Sequence, residues 1–309
     1  MKRIIAFLLT LILVPATPLF AQNAAPSAKI KIVTTVFPLY DFAREVGGRF
    51  VEVSLLLPPG VEPHAFEPTP GDISRINEAD IFIFSSPVME PWVQRLLPGI
   101  TNQNLQIVDA SRGDQLLARK KVSEAGETWE HGNRDPHFWL DLSIDMTVVD
   151  SIAEALIDRD SENKNVYLAS AGAYKSKLSA LDEEYRTGLK DCVTRTIVLG
   201  GHVAFGYLAR RYGLQAISPY TSFSPNAEPS PRAVADVITT MKETGAKRIY
   251  YEELVTPKVA NVIADETGAQ ATLLHAAHNV SADELAGGVT FLSIMEENLK
   301  KLREGLQCQ

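Results

Sequence analysis

The sequence predicts an α/β protein with two lobes, each built on a mostly parallel sheet flanked by helices, joined by one long helix. Three observations predict this fold. Runs of β-branched and apolar residues alternate with segments of helical periodicity in the first half of the chain. The same alternation returns in the second half, and a long stretch between the two contains no proline. Alternating strands and helices are typical of parallel sheets covered by helices.

The N-terminal lobe is predicted over residues 28–158. Its strands are rich in Val, Ile and Phe, and its first helix stops at a Gly-Gly pair. A second helix is expected to begin at Thr69, which can cap it, because proline follows at the first helical position and Asp72 can reach back. The strands are predicted at 29–36, 51–57, 81–84 and 105–108, and the other helices at 38–46 and 90–97.

The linking helix is predicted over residues 160–190. Tyrosine, leucine and alanine recur there at three- and four-residue steps, which is the pattern of an amphipathic helix. About 29 residues at 1.5 Å each extend roughly 43 Å, enough to run past both lobes. A helical connector of this kind would restrict hinge motion more than a loop.

The C-terminal lobe is predicted over residues 193–309 and repeats the order of the first. Ser230-Pro231 and Thr256-Pro257 each indicate the start of a helix. The closing helix is expected from residue 284, with an early interruption at Gly287-Gly288. The strands are predicted at 196–199, 248–251 and 271–274, and a further helix at 203–212.

The first 21 residues read as a cleavable secretory signal. Lys2 and Arg3 precede an apolar run over 4–14, which is too short to span a bilayer, and Ala21 suits cleavage. A buried N-terminal helix is the alternative. No cysteine follows the apolar run, so a lipid anchor is not expected, and no later stretch reaches about 18 apolar residues. The pattern predicts a periplasmic protein.

The net charge limits the kinds of molecule that the protein can bind, and the cysteine content indicates a disulfide. The net charge is −8, and loss of the two basic residues of the signal would make it −10, which disfavours nucleic-acid binding. Cys192 and Cys308 are the two cysteines, and export to an oxidising compartment favours a disulfide between them. Two free thiols are the alternative. A metal-binding role is not expected, because neither cysteine lies near a histidine at the usual short spacing.

Four of the six histidines follow predicted strands, and these four are the predicted metal ligands. They are His64, His137, His202 and His275. In open parallel sheets, ligands bind beyond the carboxyl ends of the strands. Because two of the histidines belong to each half, they could grip one divalent metal between the lobes. A lone histidine is more often structural, but four at equivalent positions favour a site.

Other side chains compete for the fourth position. His278 lies three residues after His275 and could be the ligand in its place, or support it from nearby. Carboxylates near the histidines could also bind the metal, although receiving the ring N–H of a ligating histidine is their more ordinary role. These carboxylates are Glu62, Glu67, Asp135, Glu252 and Glu253. His131 lies in a polar segment and is expected to be solvated.

Several motifs resemble the metal receptors of bacterial ABC importers, the periplasmic zinc and manganese solute-binding proteins. They are IVTTVFPLYDFAREVGG, PHAFEPTP, INEADIFIF, DPHFWLDLSID, GGHVAFGYLARRYGL and EELVTPKVANVIADETGA. They occur in the family's order and span nearly the whole mature chain. The resemblance implies two α/β lobes joined by a rigid backbone helix, metal at their interface, and a membrane ABC permease as partner; a monomer is expected.

The resemblance also assigns site residues. The metal histidines of the family match His64, His137 and His202. The fourth ligand of the family is usually an aspartate, and here the corresponding segment reads LHAAH, which leaves His275, His278 or a carboxylate. Manganese receptors typically have glutamate where this chain has His202, so the match favours zinc. The long histidine-rich loop of many zinc receptors is missing, since residues 111–135 contain only His131.

Nitrogen-rich, tetrahedral coordination suits Zn²⁺, whereas Mn²⁺ prefers more oxygen ligands. The expected function is therefore capture of Zn²⁺ as a transported ligand, without catalysis, and loss of the metal near or below about pH 6 as the histidines protonate.

Two rival functions belong to other classes. A zinc hydrolase could use three histidines with Glu62 or Glu67 as base, but no His-Glu-x-x-His pair is present and a fourth histidine would close the open position. A receptor for a siderophore, haem or another organic ligand would need an aromatic cleft. Tyr207, Tyr220, Phe223 and Trp139 could line one, although packing is their expected role. An adhesin or structural role is a third possibility.

Overall fold

The computed structural model describes residues 28–112, 134–221 and 228–309. The predicted signal, His131 and Phe223 lie outside the described residues. The described chain is an α/β protein with parallel sheets flanked by helices, as predicted. Among the described helices, none is long and apolar enough to cross a membrane.

The N-terminal half is built on four parallel strands in the order β2-β1-β3-β4. Thr69 caps α2 together with Asp72 in a reciprocal capping box, so the predicted helix start is confirmed. The elements are β1 Ile30–Thr34, α1 Phe37–Gly47, β2 Val51–Leu55, α2 Pro70–Asn77, β3 Ile81–Phe84, α3 Pro91–Leu96, β4 Gln106–Asp109 and α4 Leu142–Arg159.

The C-terminal half repeats this topology with shorter strands. The pairs β5–β6 and β7–β8 are parallel, and a parallel bridge between Leu199 and Tyr250 joins them in the order β6-β5-β7-β8. After the linking helix α5 Lys164–Gly188, the elements are β5 Thr196–Val198, α6 Gly206–Arg211, β6 Gln215–Ile217, α7 Pro231–Thr244, β7 Arg248–Tyr251, α8 Lys258–Thr267, β8 Gln270–Leu273, α9 Ala282–Ala286 and α10 Phe291–Gly305. The strand order therefore matches that of the first half, strand for strand.

The linking helix α5 has 25 residues and follows a short 3-10 turn, Ser161–Asn163. Its buried tyrosines contact both halves of the chain. The ring of Tyr174 packs 5.7 Å from that of Phe42 in α1, and Tyr185 stacks 4.9 Å from Tyr212, just beyond α6. The Tyr185 hydroxyl also donates to the Met295 carbonyl of α10, 2.5 Å away. The helix is therefore packed against both halves along its length, as expected of a stiff connector.

Several elements differ from the sequence prediction. No element was predicted for α4 or β6. Helix α6 begins at Gly206 instead of residue 203, because the chain from His202 turns back on itself with the Ala204 N–H donating to the His202 carbonyl. The closing helix is two helices, α9 and α10, separated at Gly287-Gly288, where Gly288 has a φ of +75°.

The two halves share their largest apolar cluster, which includes residues from β1, α1, α4, α5, α6 and α10. The domain limits 28–158 and 193–309 remain predictions. The predicted disulfide is confirmed: Cys192, after α5, bonds to Cys308, after α10, across 116 residues of chain. This bond fastens the C-terminal end to the end of the linking helix.

Candidate metal site

Four histidines from four separate segments meet at one point. The cluster consists of His64, His137, His202 and His278, and the possible ligand atoms all lie within 4.8 Å of one another. His64 follows β2 and His278 follows β8, while His137 precedes α4 and His202 follows β5. All four segments lie beyond the carboxyl ends of parallel strands, where open α/β sheets bind ligands.

The four imidazoles form a tetrahedron. All six distances between ring centroids fall between 4.8 and 5.5 Å, and four points that are mutually equidistant define a tetrahedron. The Nε2 atom of His137 lies 3.2 Å from Nε2 of His64 and 3.2 Å from Nε2 of His202. Tetrahedral zinc with bonds of about 2.0–2.1 Å to nitrogen separates its ligand atoms by about 3.3 Å. Both of these Nε2–Nε2 distances fit that ion.

Glu62 fixes the short turn that presents His64. Its carboxylate accepts hydrogen bonds from the backbone N–H groups of His64, at 3.0 Å, and Ala65, at 3.1 Å. Pro63 occupies the first position of this turn, where its fixed φ is suited to helical geometry. Glu62 therefore acts on the backbone beside the ligand.

Carboxylates occupy the Nδ1 side of the other three rings. Asp135 Oδ1 lies 2.7 Å from Nδ1 of His137, and Glu253 Oε1 lies 3.0 Å from Nδ1 of His278. Glu252 contacts Nδ1 of His202 closely, although their alignment is not that of a hydrogen bond.

A carboxylate on Nδ1 keeps the ring proton there and leaves the Nε2 lone pair for a metal. Within the described chain, the buried Nε2 of His278 has no hydrogen-bond partner. The donor set therefore fits a metal ion.

Two glycines make room for these carboxylates, a role that no motif in the sequence indicates. A Cβ on Gly201 would collide with Oε1 of Glu252, and a Cβ on Gly206 would lie 2.5 Å from Oδ2 of Asp135. Both carboxylates are almost fully buried, so they could not move aside into solvent. Glycine at these positions therefore permits the close approach that orients His202 and His137.

Burial and neighbouring charges set the protonation of the cluster. Burial, followed by the charges of His278 and His202, lowers the pKa of His64 to about 2. The same causes hold the pKa of His137 well below its ordinary value. Burial would also lower the pKa of His278, but the hydrogen bond and charge of Glu253 outweigh it and raise that pKa. His64 and His137 are therefore neutral and ready to ligate, while His278 can hold a proton that a metal would displace.

The supporting carboxylates differ in charge state. Burial raises the pKa of Asp135 to about 8, although the hydrogen bond from the His137 backbone N–H acts in the opposite direction. Burial also opposes ionisation of Glu253, but the charge of His275, the hydrogen bond and charge of His278 and the hydrogen bond from the Ala276 backbone N–H together lower its pKa to about 2. Glu253 is consequently the fixed negative charge beside the cluster.

His275 does not belong to the cluster, although it was the predicted fourth ligand. Its Nδ1 accepts the backbone N–H of Ala277 at 2.9 Å, which assigns the ring proton to Nε2 and removes the lone pair that a metal would need there. Ala277 has a φ of +58°, and this left-handed turn directs His278, not His275, towards the other three histidines. His275 instead anchors its segment, with its backbone N–H and carbonyl both bonded to Asn298.

Other side chains that the sequence analysis suggested for the site lie around the cluster. Glu67 pairs with Arg95 at 2.9 Å on the exposed surface. The ring of Trp139 lies 5.6 Å from that of His137 and 5.7 Å from that of His278, and its N–H donates to the Ala276 carbonyl. The cavity beside the cluster has a volume of about 10 Å³. A space of this size accepts about one water-sized particle and no organic molecule.

A fold of two matching parallel-sheet halves, with a buried cage of four imidazoles beyond their strand ends, defines a metal-binding receptor of the solute-binding class. Comparison with protein families makes this specific. The chain belongs to the family described as zinc-uptake complex component A, periplasmic, whose pattern matches residues 32–305. The resemblance drawn from the sequence motifs is thereby confirmed.

Known relatives support the same family. The chain is 36% identical over 282 residues to the high-affinity zinc uptake system protein ZnuA of Bacillus subtilis, covering 90% of this chain and 88% of that protein. It is 35% identical over 297 residues to the zinc-binding protein AdcA of Streptococcus pyogenes. That match covers 92% of this chain but 57% of AdcA, so the chain spans little more than half the length of that relative.

Solved structures share the fold. The metal-dependent lipoprotein YcdH of Bacillus subtilis superposes with a TM-score of 0.78 at 35% identity, covering 90% of this chain and 99% of YcdH. The Zn(II)-bound ZnuA-like domain of Streptococcus pneumoniae AdcA gives a TM-score of 0.76 at 32% identity, with the same coverage of 90% and 99%.

Proposed function

We propose that this protein captures Zn²⁺ in the periplasm and delivers it to a membrane ABC permease. One observation carries the proposal: four imidazoles from four segments converge with tetrahedral spacing on a buried point. The names of the relatives, a high-affinity zinc uptake protein and a zinc-binding protein, support the same function. The ligand set we propose is His64, His137, His202 and His278.

The chemistry of the donors favours zinc over manganese. Four neutral nitrogen atoms in a tetrahedron match Zn²⁺, whereas Mn²⁺ prefers more oxygen ligands. Copper and nickel ions also bind nitrogen tightly, so geometry and the supply of metal in the periplasm must exclude them.

Capture would exchange the waters around the ion for the four ring nitrogens. The proton held by His278 would leave, because a ligating imidazole must be neutral at the bound nitrogen. The negative charge of Glu253 would remain beside the site and offset part of the ionic charge. Delivery then requires the halves of the chain to separate at the permease, which would pull the four ligands apart.

The structure offers little support for the two rival functions. A hydrolase needs an open coordination position and a free base, but four histidines fill a tetrahedron, Glu62 caps the His64 turn and Glu67 pairs with Arg95. The cavity of about 10 Å³ is far smaller than a pocket for a siderophore or haem. We therefore propose a receptor without catalytic activity.

We also propose a monomer that moves freely in the periplasm and binds no nucleic acid. The net charge of −8 disfavours nucleic acid, and no cysteine follows the apolar N-terminal run where a lipid would attach. A relative in Streptococcus pneumoniae is named a lipoprotein, so the absence of lipid needs its own test. Metabolic labelling with a radioactive fatty acid should leave this protein unlabelled, and label on it would contradict free diffusion.

Metal titration tests the main proposal. Protein stripped with a chelator should bind one Zn²⁺ per chain in a calorimetric titration, with Mn²⁺ binding more weakly under the same conditions. His202→Ala should weaken zinc binding by orders of magnitude, while the far-ultraviolet circular dichroism stays unchanged. A preference of more than about tenfold for Mn²⁺ over Zn²⁺ would contradict the zinc assignment, and unchanged affinity in His202→Ala would remove that residue from the site.

A further inference from the structure

A tight turn over residues 58–61, here called the docking turn, precedes His64 in the N-terminal half. The Val61 N–H donates to the Pro58 carbonyl at 3.1 Å, and Gly60 takes a φ of +84°, which only glycine adopts without strain. The turn is mostly exposed on its outer side. Its inner side faces the segment that follows β8.

Asn279 binds the docking turn from the C-terminal half. Its Nδ2 donates to two carbonyls of the turn, Pro58 at 2.8 Å and Val61 at 2.9 Å. Its Oδ1 accepts the N–H of Val280, which fixes the orientation of the amide. A third bond runs the opposite way, from the Gly60 N–H to the Val280 carbonyl at 2.8 Å.

This contact joins the two halves beside the metal cluster. Asn279 is completely buried and directly follows His278, while the docking turn ends three residues before His64. The rings of His64 and His278 lie 5.5 Å apart on segments that belong to different sheets. The Phe37 N–H at the start of α1 adds another bond across the halves, to the His278 carbonyl at 3.1 Å.

We propose that Asn279 and the docking turn form a latch that holds His64 and His278 at metal-binding distance and slows release of the ion. The inference rests on the proposed function. The hydrogen bonds of the latch join segments of the two halves. They must therefore break when the halves separate to let the ion leave. Asparagine suits this position because one amide group supplies two donors to two carbonyls of the same turn, which neither a leucine nor an aspartate side chain can do. Asn279 is thus a positioning residue, acting through the ligands on either side.

Asn279→Leu tests the latch, with Asn298→Leu as the matched control. Both asparagines are completely buried, and both make two side-chain bonds to a neighbouring segment. Asn298, however, makes its side-chain bonds within the C-terminal half, to the backbone of His275 and to the sulfur of Met295. The measurement is the rate of zinc release into a fluorescent chelator, together with the melting temperature of the metal-free protein.

Loss of two ordinary hydrogen bonds across the halves should accelerate zinc release about tenfold in Asn279→Leu. Asn298→Leu should lower the melting temperature without changing the release rate. Release at the normal rate from Asn279→Leu overturns the latch, and so does an equal acceleration in Asn298→Leu, because loss of general stability would then explain both.

Gly60→Ala opens the same contact from the other side and keeps the test decisive if Asn279→Leu does not fold. Alanine at a φ of +84° strains the docking turn, while Gly288→Ala, at a φ of +75°, strains the turn between α9 and α10, whose backbone hydrogen bonds stay within that turn and α9. Neither added Cβ meets an atom within 4 Å, so the two substitutions differ in place and not in crowding. Gly60→Ala should release zinc several-fold faster and Gly288→Ala at the normal rate. Equal rates in this pair overturn the latch alone; failure of the unaltered protein to bind zinc would overturn the proposed function.

Discussion

The position of the ring proton separates His278 from His275, although both are buried beside Glu253. His278 presents Nδ1 to the Glu253 carboxylate, which frees Nε2 for a metal. His275 receives the Ala277 N–H at Nδ1, so its proton resides on Nε2. His278 can therefore bind a cation through Nε2, whereas His275 stabilises the backbone of its own segment.

This difference predicts opposite results for two alanine substitutions. His278→Ala should weaken zinc binding by orders of magnitude, because the tetrahedral cage loses one of its four donors. His275→Ala should leave zinc affinity within a few-fold of normal and lower the thermal stability instead. Competition with a chromophoric chelator gives the affinities and thermal denaturation gives the stabilities. The opposite ranking would restore His275 as the fourth ligand.

The convergence of His64, His137 and His202 was predictable from their places after strands. The choice between His275 and His278 was not. It depends on the left-handed backbone of Ala277, and alanine carries no signal for a positive φ. The roles of Gly201 and Gly206 were equally hidden, since they depend on carboxylates that come close only in the folded chain. Metal ligation by the four histidines remains a prediction.

Among the helices and strands, those whose ends carry recognisable capping residues were predicted best. Helix α2 begins at the predicted cap because Thr69 and Asp72 satisfy each other's backbone groups. Strand β6 was missed because its three residues, Gln-Ala-Ile, include one β-branched side chain, whereas the equally short β5, Thr-Ile-Val, consists of three. Helix α4 begins at Leu142, after the cap Asp141, whose side chain accepts the Ser143 N–H, but no element was predicted for this segment.

The disulfide between Cys192 and Cys308 joins the end of α5 to the end of α10. Replacing both cysteines with serine should lower the free energy of unfolding by about 2–4 kcal/mol, because a long loop of the unfolded chain is no longer closed. Zinc affinity should stay near normal, since neither residue belongs to the cluster. Urea denaturation measures the loss, and the unaltered protein under reducing conditions should unfold like the variant. Equal stability with and without the bond would contradict this prediction.

Across the whole molecule, Arg211 joins three helices on the side of the site that carries His137 and His202. Its guanidinium makes two bonds of 2.6 Å to Asp182 of the linking helix. It also donates to Ser143 Oγ at 2.5 Å and lies 3.2 Å from Asp141, both at the start of α4. One side chain from α6 therefore ties together the linking helix and the N-terminal half.

Arg211→Met should loosen this side of the site, with Arg195→Met as the control. Arg195 also makes several bonds, but they go to carbonyls such as those of Leu189, Tyr212 and Gly213, and none is to α4 or another element of the N-terminal half. Both variants should be less stable, but only Arg211→Met should also raise the dissociation constant for zinc, by about tenfold. Equal zinc affinity in the two variants would show that Arg211 serves stability alone.

The two-half architecture and the long helix were predictable from the alternation of strands and helices. The shared strand order was not, because strands of three to five residues do not specify their neighbours. The pairing follows from tertiary packing, and it gives both halves the same edge for binding.

The burial of the cluster has a kinetic consequence. Three of the four imidazoles are almost inaccessible to solvent. The cavity beside the cluster holds little more than a single water molecule. A scavenging molecule in the periplasm could not touch the ion before the protein opens by itself. The rate at which zinc is lost to competitors would then equal the rate at which the protein opens, and it would not depend on the concentration of the competitors. Only a partner that separates the two halves could increase that rate.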